Sequence, residues 1–361
     1  MIDIRQIEVW MHGRLVGRLA LTPNRPQTCA FEYAQQWLRE GFSISPFELP
    51  LTPGLKIAPY TPFDGHFGVF ADSLPDGWGR LILHRHLAQQ GINSAALNPL
   101  QQLCLVGSNG RGALEYKPDQ AVRAASEYMS LEQIAAESFA ILQNDDYTGA
   151  HMDELLQRGG SPGGARPKIF LKQDGEEWLV KFRARNDKKN VGKEEYRYSL
   201  LAKRCGIEMP ETRLFADQWF GVKRFDRIAG RKLHVVSAAG LLRADYQIPS
   251  IDYYHLFNIS ARLSHSVEEL WKIYRLMCFN VIIGNRDDHA KNFAFLYDND
   301  WRFSPAYDLL PCGATGDCHT TSVNDNPLPQ RADMLALAER VGLDAGKASA
   351  VLDEILSLCS C

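Results

Sequence analysis

A short polar stretch late in the chain, followed by a further carboxylate, constrains the fold more than any other feature. Residues 285–292 are Asn-Arg-Asp-Asp-His-Ala-Lys-Asn, and Tyr307-Asp308 follows downstream. Phosphoryl transfer needs a carboxylate that accepts a hydroxyl proton, and an amide and a second carboxylate that hold Mg²⁺. Asp287, Asn292 and Asp308 could fill these three roles. The Asp-x4-Asn spacing matches a protein-kinase catalytic loop, although His-Arg-Asp and Asp-Phe-Gly are both absent.

The elements predicted on either side favour this interpretation over an ordinary polar turn, which is the alternative because Asp and Asn are common turn residues. Ser266 and Glu269 predict a capping box at the start of a helix. Apolar residues then recur at helical spacing, namely Val267, Leu270, Ile273, Tyr274, Met277, Val281 and Ile282. Residues 293–297 and 301–303 predict a β-hairpin. Helix, polar loop, hairpin and Asp is the order of parts in a kinase C-lobe.

A Gly-rich segment lies upstream. Residues 159–168 are Gly-Gly-Ser-Pro-Gly-Gly-Ala-Arg-Pro-Lys, and small residues let backbone N–H groups approach phosphate oxygens. The segment is neither Gly-x-Gly-x-x-Gly nor a Walker A motif, so it also fits a flexible linker. It ends in Arg166 and Lys168 and runs into the apolar residues 169–171, which favours a phosphate-binding loop.

The next elements are those expected after such a loop. Lys181 lies in the apolar run 178–182, as the phosphate-pairing lysine of a kinase strand does; a surface lysine on an edge strand is the alternative. Residues 193–205 predict a helix closed by Gly206, on which Glu194 or Glu195 could pair with Lys181.

Two further strand-like runs follow, residues 212–215 and 219–222. They lead to residues 223–227, Lys-Arg-Phe-Asp-Arg, at the position where a kinase has the hinge beside the adenine. Towards the N-terminus, residues 7–11 and 15–21 predict paired strands. Turn and capping residues predict helices after Gly77, at Asn98-Pro99, where Pro would occupy the first helical position, and from Ser130, which with Gln133 predicts a capping box.

These motifs together resemble the HipA family, the serine/threonine kinases of bacterial toxin–antitoxin modules. The resemblance covers most of the chain and includes residues 70–80, Phe-Ala-Asp-Ser-Leu-Pro-Asp-Gly-Trp-Gly-Arg, which are similar to an early motif of that family. It continues through residues 161–168, Lys181, 224–227, 284–292 and 307–308. It implies a two-lobed protein-kinase-like fold with an N-terminal β-rich subdomain and a mainly helical C-lobe.

The resemblance also implies roles for individual residues. Asp287 would be the catalytic base, Asn292 and Asp308 would bind Mg²⁺, and Glu195 would support Lys181. Ser161 matches the serine that is autophosphorylated in the family, a modification that silences the kinase. Contacts to ATP would come from three groups, the phosphate-binding residues Gly163, Gly164, Ala165, Arg166, Pro167, Lys168 and Lys181, the adenine-bordering residues Lys223, Arg224 and Phe225, and the loop residues His289, Ala290, Lys291 and Asn292.

Partners follow from the same resemblance. Family targets include aminoacyl-tRNA synthetases, and the usual partner is a small helix-turn-helix antitoxin that binds operator DNA, so DNA would be contacted only through the antitoxin. After Asp308 the chain has 53 residues, fewer than the best-known members. In the family, that region normally supplies C-lobe helices and part of the surface that contacts the antitoxin and DNA. The short stretch after Asp308 therefore bears most on the expected docking of an antitoxin.

Composition agrees with a cytoplasmic enzyme. A chain of 361 residues, 45% hydrophobic and 23% charged, is long for one core and suggests two or three lobes. We predict an α+β chain with an N-terminal subdomain (1–125), a nucleotide-gripping part (126–226) and a helical C-lobe (227–361). No apolar run approaches the roughly 18 residues of a membrane span, the start lacks a signal-peptide pattern, and the net charge of −3 gives no global attraction to nucleic acid.

The eight cysteines lack a repeated Cys-x-x-Cys motif, which predicts free thiols in a cytosolic chain. Cys312, Cys318 and His319 fall far below a zinc pattern.

Two other functions remain open at this point. Small-molecule kinases of the aminoglycoside or choline type use a similar Asp-x4-Asn followed by a later Asp, although the serine-led Gly-rich segment favours the toxin family. A non-catalytic antitoxin-binding scaffold is the other. Lys181, Asp287, Asn292 and Asp308 are all present, so the loss of catalytic residues expected of a pseudokinase is not seen.

Overall fold

The computed structural model describes residues 4–124, 129–144, 147, 149, 151–160, 163–312 and 318–360. Two compact units divide the chain. The first unit is Met1–Lys193 with Arg213–His234, and the second is Glu194–Thr212 with Val235–Cys361. Ser161, the predicted site of autophosphorylation, lies outside the described residues.

The strands run in chain order as β1 Gln6–Met11, β2 Arg14–Thr22, β3 Arg25–Tyr33, β4 Lys56–Ile57, β5 Glu115–Lys117, β6 Lys168–Gln173, β7 Glu176–Lys181, β8 Thr212–Phe215, β9 Trp219–Lys223, β10 Arg227–Ile228, β11 Arg231–Lys232, β12 His234–Ser237, β13 Ile251–Asp252, β14 Ala294–Asp298, β15 Asp300–Phe303 and β16 Thr321–Ser322.

The α-helices are α1 Gln35–Glu40, α2 Gly68–Ala71, α3 Gly77–Gln89, α4 Pro99–Val106, α5 Leu131–Gln143, α6 Met152–Gly159, α7 Val191–Arg204, α8 Ala238–Leu242, α9 Tyr253–Ser264, α10 Val267–Ile283, α11 Arg331–Arg340 and α12 Ala345–Ser360. Short 3₁₀ turns cover Ser94–Ala96 and Ala290–Asn292.

The first unit begins with a five-stranded sheet in the order β4-β3-β2-β1-β5. The alternation in the sequence explains the β1–β2 pair, since Val9 and Leu19 are fully buried while intervening side chains face outward. Helix α4 packs on this sheet. It begins at the predicted position, because Asn98 and Gln101 form a reciprocal capping box and Pro99 occupies the first turn.

A second sheet of the first unit, in the order β6-β7-β9-β8, carries the residues predicted to bind phosphate. Its buried face shares a core with α3, α5 and α6. Helix α5 begins at the predicted capping box of Ser130 and Gln133. Trp78 and Ile82 of α3 belong to the same core as Val180 of β7, so α3, which begins within the early 70–80 motif, shares its core with the sheet that holds Lys181.

The second unit is mainly helical and contains α9, α10, α11 and α12 with the β14–β15 hairpin. Helix α10 packs on both α9 and α12, and the Tyr274 hydroxyl donates to the Ala348 carbonyl oxygen at 3.1 Å. The hairpin pairs Phe295 with Phe303 and turns at Asn299, whose φ of 69° is left-handed, as Asn tolerates.

The α+β fold class and the predicted helix and hairpin around the polar loop are therefore confirmed, but the capping box at Ser266 is wrong. Ser266 makes no side-chain cap to α10. Its hydroxyl donates instead to the Glu268 carboxylate at 2.7 Å. Glu269 accepts from the backbone N–H of Phe303 at 2.7 Å and so cannot complete the box. The helix forms because its apolar face is buried.

Within the described part of the chain, all seven cysteines are free thiols, as predicted. In that same part, no helix has the length and apolarity to cross a membrane. The division at residues 125 and 226 stays a prediction.

Candidate active site

The polar loop brings Asp287 and Asn292 together. Helix α10 ends at Gly284, whose φ is 70°, a left-handed C-cap. The side-chain amide of Asn292 donates to the backbone carbonyl oxygen of Asp287 at 2.7 Å. Its backbone N–H donates to the His289 carbonyl oxygen at 2.8 Å. The Lys291 N–H donates to His289 Nδ1 at 3.2 Å. The loop is therefore closed on itself by its own side chains.

The two neighbouring carboxylates of this loop have different environments. Asp287 is exposed, whereas Asp288 is fully buried. Asp288 accepts from the Tyr253 hydroxyl at 3.1 Å and from the backbone N–H groups of Thr320 at 3.0 Å and Thr321 at 3.2 Å. The Nδ1 atom of His319 lies 3.2 Å from the same carboxylate. Asp288 thus anchors the loop, and Asp287 is the carboxylate that solvent and an acceptor can reach.

A buried polar network extends this anchor. The Asn280 amide donates to the Tyr253 hydroxyl at 2.9 Å, and the Asn285 amide donates to the Asn280 side-chain oxygen at 3.0 Å. Burial, helped by the Asp288 charge, raises the pKa of Tyr253 well above its ordinary value. The phenol therefore stays a neutral donor. Sequence reasoning missed this network, and the one signal for it was the doubled Asp at 287 and 288.

Asp308 is tied to the same loop through its backbone. The Asn285 amide also donates to the Asp308 carbonyl oxygen at 3.2 Å, and the Tyr307 hydroxyl donates to the Lys291 carbonyl oxygen at 2.7 Å. Asp308 has a φ of 56°, a left-handed backbone that few residues other than Gly, Asn and Asp adopt. Such strained positions cluster at functional sites.

Two lysines lie side by side on the second sheet of the first unit. Lys168 of β6 is directly opposite Lys181 of β7, and their exposed fractions are only 4% and 8%. Lys168 Nζ donates to the Gly163 carbonyl oxygen, and Lys181 Nζ lies 5.5 Å from the centroid of the Phe220 ring. Two ammonium groups on neighbouring strands form a positive site that can attract an anionic ligand.

The described part of the Gly-rich segment is fixed by contacts within the first unit. Gly164 has a φ of 99°, which only Gly adopts readily. Its N–H donates to the Asp76 carboxylate. Arg166 forms an ion pair with Asp187, with Nε 3.0 Å from the carboxylate. The Phe182 N–H donates to the Pro167 carbonyl oxygen at 2.8 Å, while Ala165 is exposed.

The residues predicted to border the adenine take part in ion pairs. Lys223 Nζ lies 2.7 Å from Glu176, and the Arg224 guanidinium lies 2.8 Å from Asp226. Burial alone would raise the pKa of Asp226, but Arg224 and Arg227 outweigh it and hold that pKa well below its ordinary value. Arg224 therefore takes part in a buried ion pair, and its contact with the nucleotide stays a prediction.

The donor atoms fit a magnesium nucleotide. Among the described residues there is no group of three or more His, Cys, Asp or Glu side chains that could hold a metal. Mg²⁺ in kinases is held by only one or two protein oxygens together with phosphates and water. The Asp308 carboxylate and the Asn292 side-chain oxygen are donors of this kind, since Asn292 uses its amide nitrogen to close the loop.

Glu195, the predicted support of Lys181, is buried on α7. It belongs to the second unit and Lys181 to the first, and their pairing stays a prediction. The ATP-contacting and metal-binding roles of the other residues stay predictions in the same way.

A Gly-rich segment that leads into a strand pair with two buried lysines, and an Asp-x4-Asn loop between a long helix and a hairpin, define a kinase-like fold. A family model described as the HipA-like C-terminal domain matches residues 160–360, and one described as the HipA N-terminal domain matches residues 7–117. The chain belongs to the HipA family.

Known proteins show the same relationship. Two proteins of Sinorhizobium fredii (strain NBRC 101917 / NGR234) are similar over most of the chain. One, named "Putative kinase Y4dM", is 24% identical and the match covers 86% of this chain and 78% of that protein. The other, named "Putative kinase Y4mE", is 27% identical and the match covers 88% and 79%.

A solved structure is similar in fold. The HipA of Shewanella oneidensis MR-1, in a toxin–antitoxin complex with HipB and operator DNA, matches with a TM-score of 0.70 at 20% identity. The match covers 97% of this chain and 88% of that one.

Proposed function

We propose that this chain is an ATP-dependent kinase that phosphorylates serine or threonine in a protein, as the toxin of a toxin–antitoxin module. The observation that carries the proposal is the polar loop of the second unit, in which the Asn292 amide is bonded to Asp287 and the Asn285 amide, at the start of the same loop, is bonded to the backbone of Asp308. Family membership supports it, as do two relatives that are named as kinases.

The nucleotide would be held by two groups of residues, those that contact its phosphates and those that hold its Mg²⁺ ion. Lys168 and Lys181 offer two adjacent ammonium groups, and Gly163 to Pro167 offer a loop on which phosphate oxygens can rest. Asn292 and Asp308 would hold Mg²⁺. When bound, magnesium ATP would supply the phosphoryl group, and the metal ion would neutralise the charge that develops on the phosphate oxygens during transfer.

The residues of the chain have separate tasks in this proposal. Asp287, exposed at the loop, would orient the acceptor hydroxyl and accept its proton. Asp288, with its four donors, would keep the Asp287 backbone still, and the Asn292 amide would hold the turn that follows. A positioned base is effective only when its geometry is fixed, which is what the buried network provides.

The test is transfer of labelled phosphate from ATP to candidate acceptors. We expect labelling of protein acceptors, with aminoacyl-tRNA synthetases as the first candidates, and none of aminoglycosides or choline. Asp287→Asn should abolish it. Transfer to a small molecule, with no protein labelled, would favour the metabolite-kinase alternative. Binding of ATP without transfer to any acceptor would favour a non-catalytic scaffold.

We also propose a helix-turn-helix antitoxin as the partner, with DNA contacted through it. The support is the Shewanella oneidensis structure, in which HipA is assembled with HipB and operator DNA. Co-expression with the small protein encoded next to this chain, followed by size exclusion, tests it. Co-elution is expected, and separate elution at micromolar concentration would contradict the proposal.

Autophosphorylation of Ser161 is a further part of the proposal. A phosphate there would add a charge of about −1.5 to −2 to the Gly-rich segment that also carries Arg166 and Lys168, and it would repel an incoming nucleotide. Mass analysis after incubation with magnesium ATP should find one phosphate on Ser161, accompanied by weaker ATP binding. The phosphate should be absent from Asp287→Asn. An unmodified Ser161 in active protein would contradict it.

A further inference from the structure

An aspartate at the start of α3 contacts the Gly-rich segment through its side chain. Asp76 is the N-cap residue of α3, with extended backbone angles, but its carboxylate makes no capping hydrogen bond to the helix. Asp at this position ordinarily accepts from the second or third N–H of the helix. Here the carboxylate accepts from the N–H of Gly164, 88 residues later in the chain.

The neighbouring backbone completes the contact. The Trp78 N–H donates to the Gly164 carbonyl oxygen at 3.0 Å, so both polar groups of Gly164 are bound by residues 76–78. Asp76 is 6% exposed and Trp78 is 1% exposed, which excludes water from competing for these bonds. On its other side, the segment is held by Lys168 Nζ on the Gly163 carbonyl oxygen.

The glycines of the 70–80 motif fit this contact. A Cβ on Gly77 would lie 2.5 Å from the Gly164 carbonyl oxygen, and a Cβ on Gly79 would lie 2.3 Å from that of Gly160. Both distances are too short for any side chain. The motif that begins α3 is therefore shaped to accept the backbone of the Gly-rich segment at contact distance.

We propose that Asp76 is a positioning residue that holds the Gly-rich segment in the conformation that accepts ATP phosphates. This inference rests on the proposed kinase function. The Gly164 amide serves as the fixing point of the segment. The ATP phosphates would then be contacted by the neighbouring residues of the segment and by Lys168 and Lys181. This role needs a hydrogen-bond acceptor on the side chain of residue 76. Asn has such an acceptor, so Asp76→Asn should bind ATP nearly as well as the wild type. Ala has none, so Asp76→Ala should bind ATP more weakly.

Nucleotide binding and turnover of three variants test the proposal. In Asp76→Ala we expect the KM for ATP to rise about tenfold or more, since a hydrogen bond to a charged group is lost, with kcat within about threefold of the wild type. Asp76→Asn should stay within about threefold of the wild-type KM. The control is Asp153→Ala. It removes a carboxylate of α6 that lies 3.0 Å from His86 of α3, the helix that Asp76 precedes. This variant should leave the KM unchanged.

An unchanged KM in Asp76→Ala would overturn the proposal. A lowered KM in that variant would also overturn it, because it would show that the carboxylate occupies a place meant for phosphate.

Hydrogen exchange gives a second readout that does not need activity, and its measurement on the wild type alone does not need a variant that folds. In the nucleotide-free wild type, the amide of Gly164 should exchange slowly, and it should exchange fast in Asp76→Ala but not in Asp153→Ala. Fast exchange in the wild type, with β6 and β7 protected, would overturn the proposal. If the wild type binds no ATP, the kinase function fails, while exchange at Gly164 still decides whether the Asp76 contact exists.

Discussion

The side-chain amide of Asn292 donates to the backbone carbonyl oxygen of Asp287 at 2.7 Å, so the proposed metal ligand also fixes the residue proposed as the base. The loop between them is short and closed, and Asp287 stays exposed. A substitution of the Asp287 side chain can therefore test the chemistry proposed for this loop while the backbone hydrogen bond that closes the loop is kept.

Asp287→Asn should lower phosphoryl transfer by about 10²–10⁴-fold, the usual contribution of a general base. The thermal unfolding midpoint should not change, because the Asp287 contact to Asn292 uses its backbone. Initial rates with saturating ATP and acceptor measure the effect. Asp300→Asn, an exposed carboxylate on β15, is the control and should retain full activity. Near-wild-type turnover of Asp287→Asn would show that another group is the base.

Asp308→Asn should raise the Mg²⁺ concentration needed for half-maximal nucleotide binding by about tenfold or more, the cost of losing one charged contact. Asn tolerates the left-handed backbone at this position, so the variant removes charge without adding strain. Titration of Mg²⁺ at fixed nucleotide, followed by fluorescence of a labelled ATP analogue, measures it. The same affinity for magnesium in both proteins would rule out Asp308 as a ligand.

Tyr253→Phe should destabilise the fold by about 1–3 kcal/mol, because the hydroxyl bridges Asn280 and Asp288 in a buried site. Asp288→Ala should cost more, since it leaves a hydroxyl, a histidine and two amides without their acceptor. Thermal unfolding measures both. Tyr254→Phe, next to it on α9, is the matched control, and an equal effect of the two Tyr variants would contradict the network.

Two buried histidines predict a pH dependence of stability. Burial lowers the pKa of His66 to about 4 and that of His234 to about 4, from 6.5 in the unfolded chain. The unfolded state therefore binds more protons between these values, and stability falls as the pH drops from 6.5 towards 4. The free energy of unfolding should show a shallower slope in His66→Gln and in His234→Gln. An unchanged slope in both variants would contradict the prediction.

The sequence predicted most of the local structure because local signals decide it. Short strand-like runs located β1, β2 and β7, and capping residues located α4 and α5. The capping box at Ser266 failed because Glu269 is recruited by the N–H of Phe303, a partner 34 residues away that no local pattern indicates.

Within the candidate site, the loop residues were predicted from their spacing and the two lysines from the runs in which they lie. The buried residues that hold the loop in place were not predicted. Asp288 looks identical to Asp287 in the sequence. Its burial depends on Tyr253 and on residues 319–321, which only the fold brings near. The sequence also did not show that Arg224, which is predicted to border the nucleotide, pairs with Asp226, because the fold decides which charged side chains are buried together.

The contact of Gly77 and Gly79 with the Gly-rich segment has a consequence for dissection of the chain. A fragment that begins after α3 would keep every residue assigned to ATP and magnesium, and by motif alone it would pass for a complete kinase domain. It would nevertheless lack the acceptor for the Gly164 amide, and it would lack Trp78 and Ile82, which share a buried core with Val180 of β7. If Asp76 has the proposed role, a piece that keeps the full affinity for ATP must therefore begin before Asp76, well inside the region matched by the N-terminal family model.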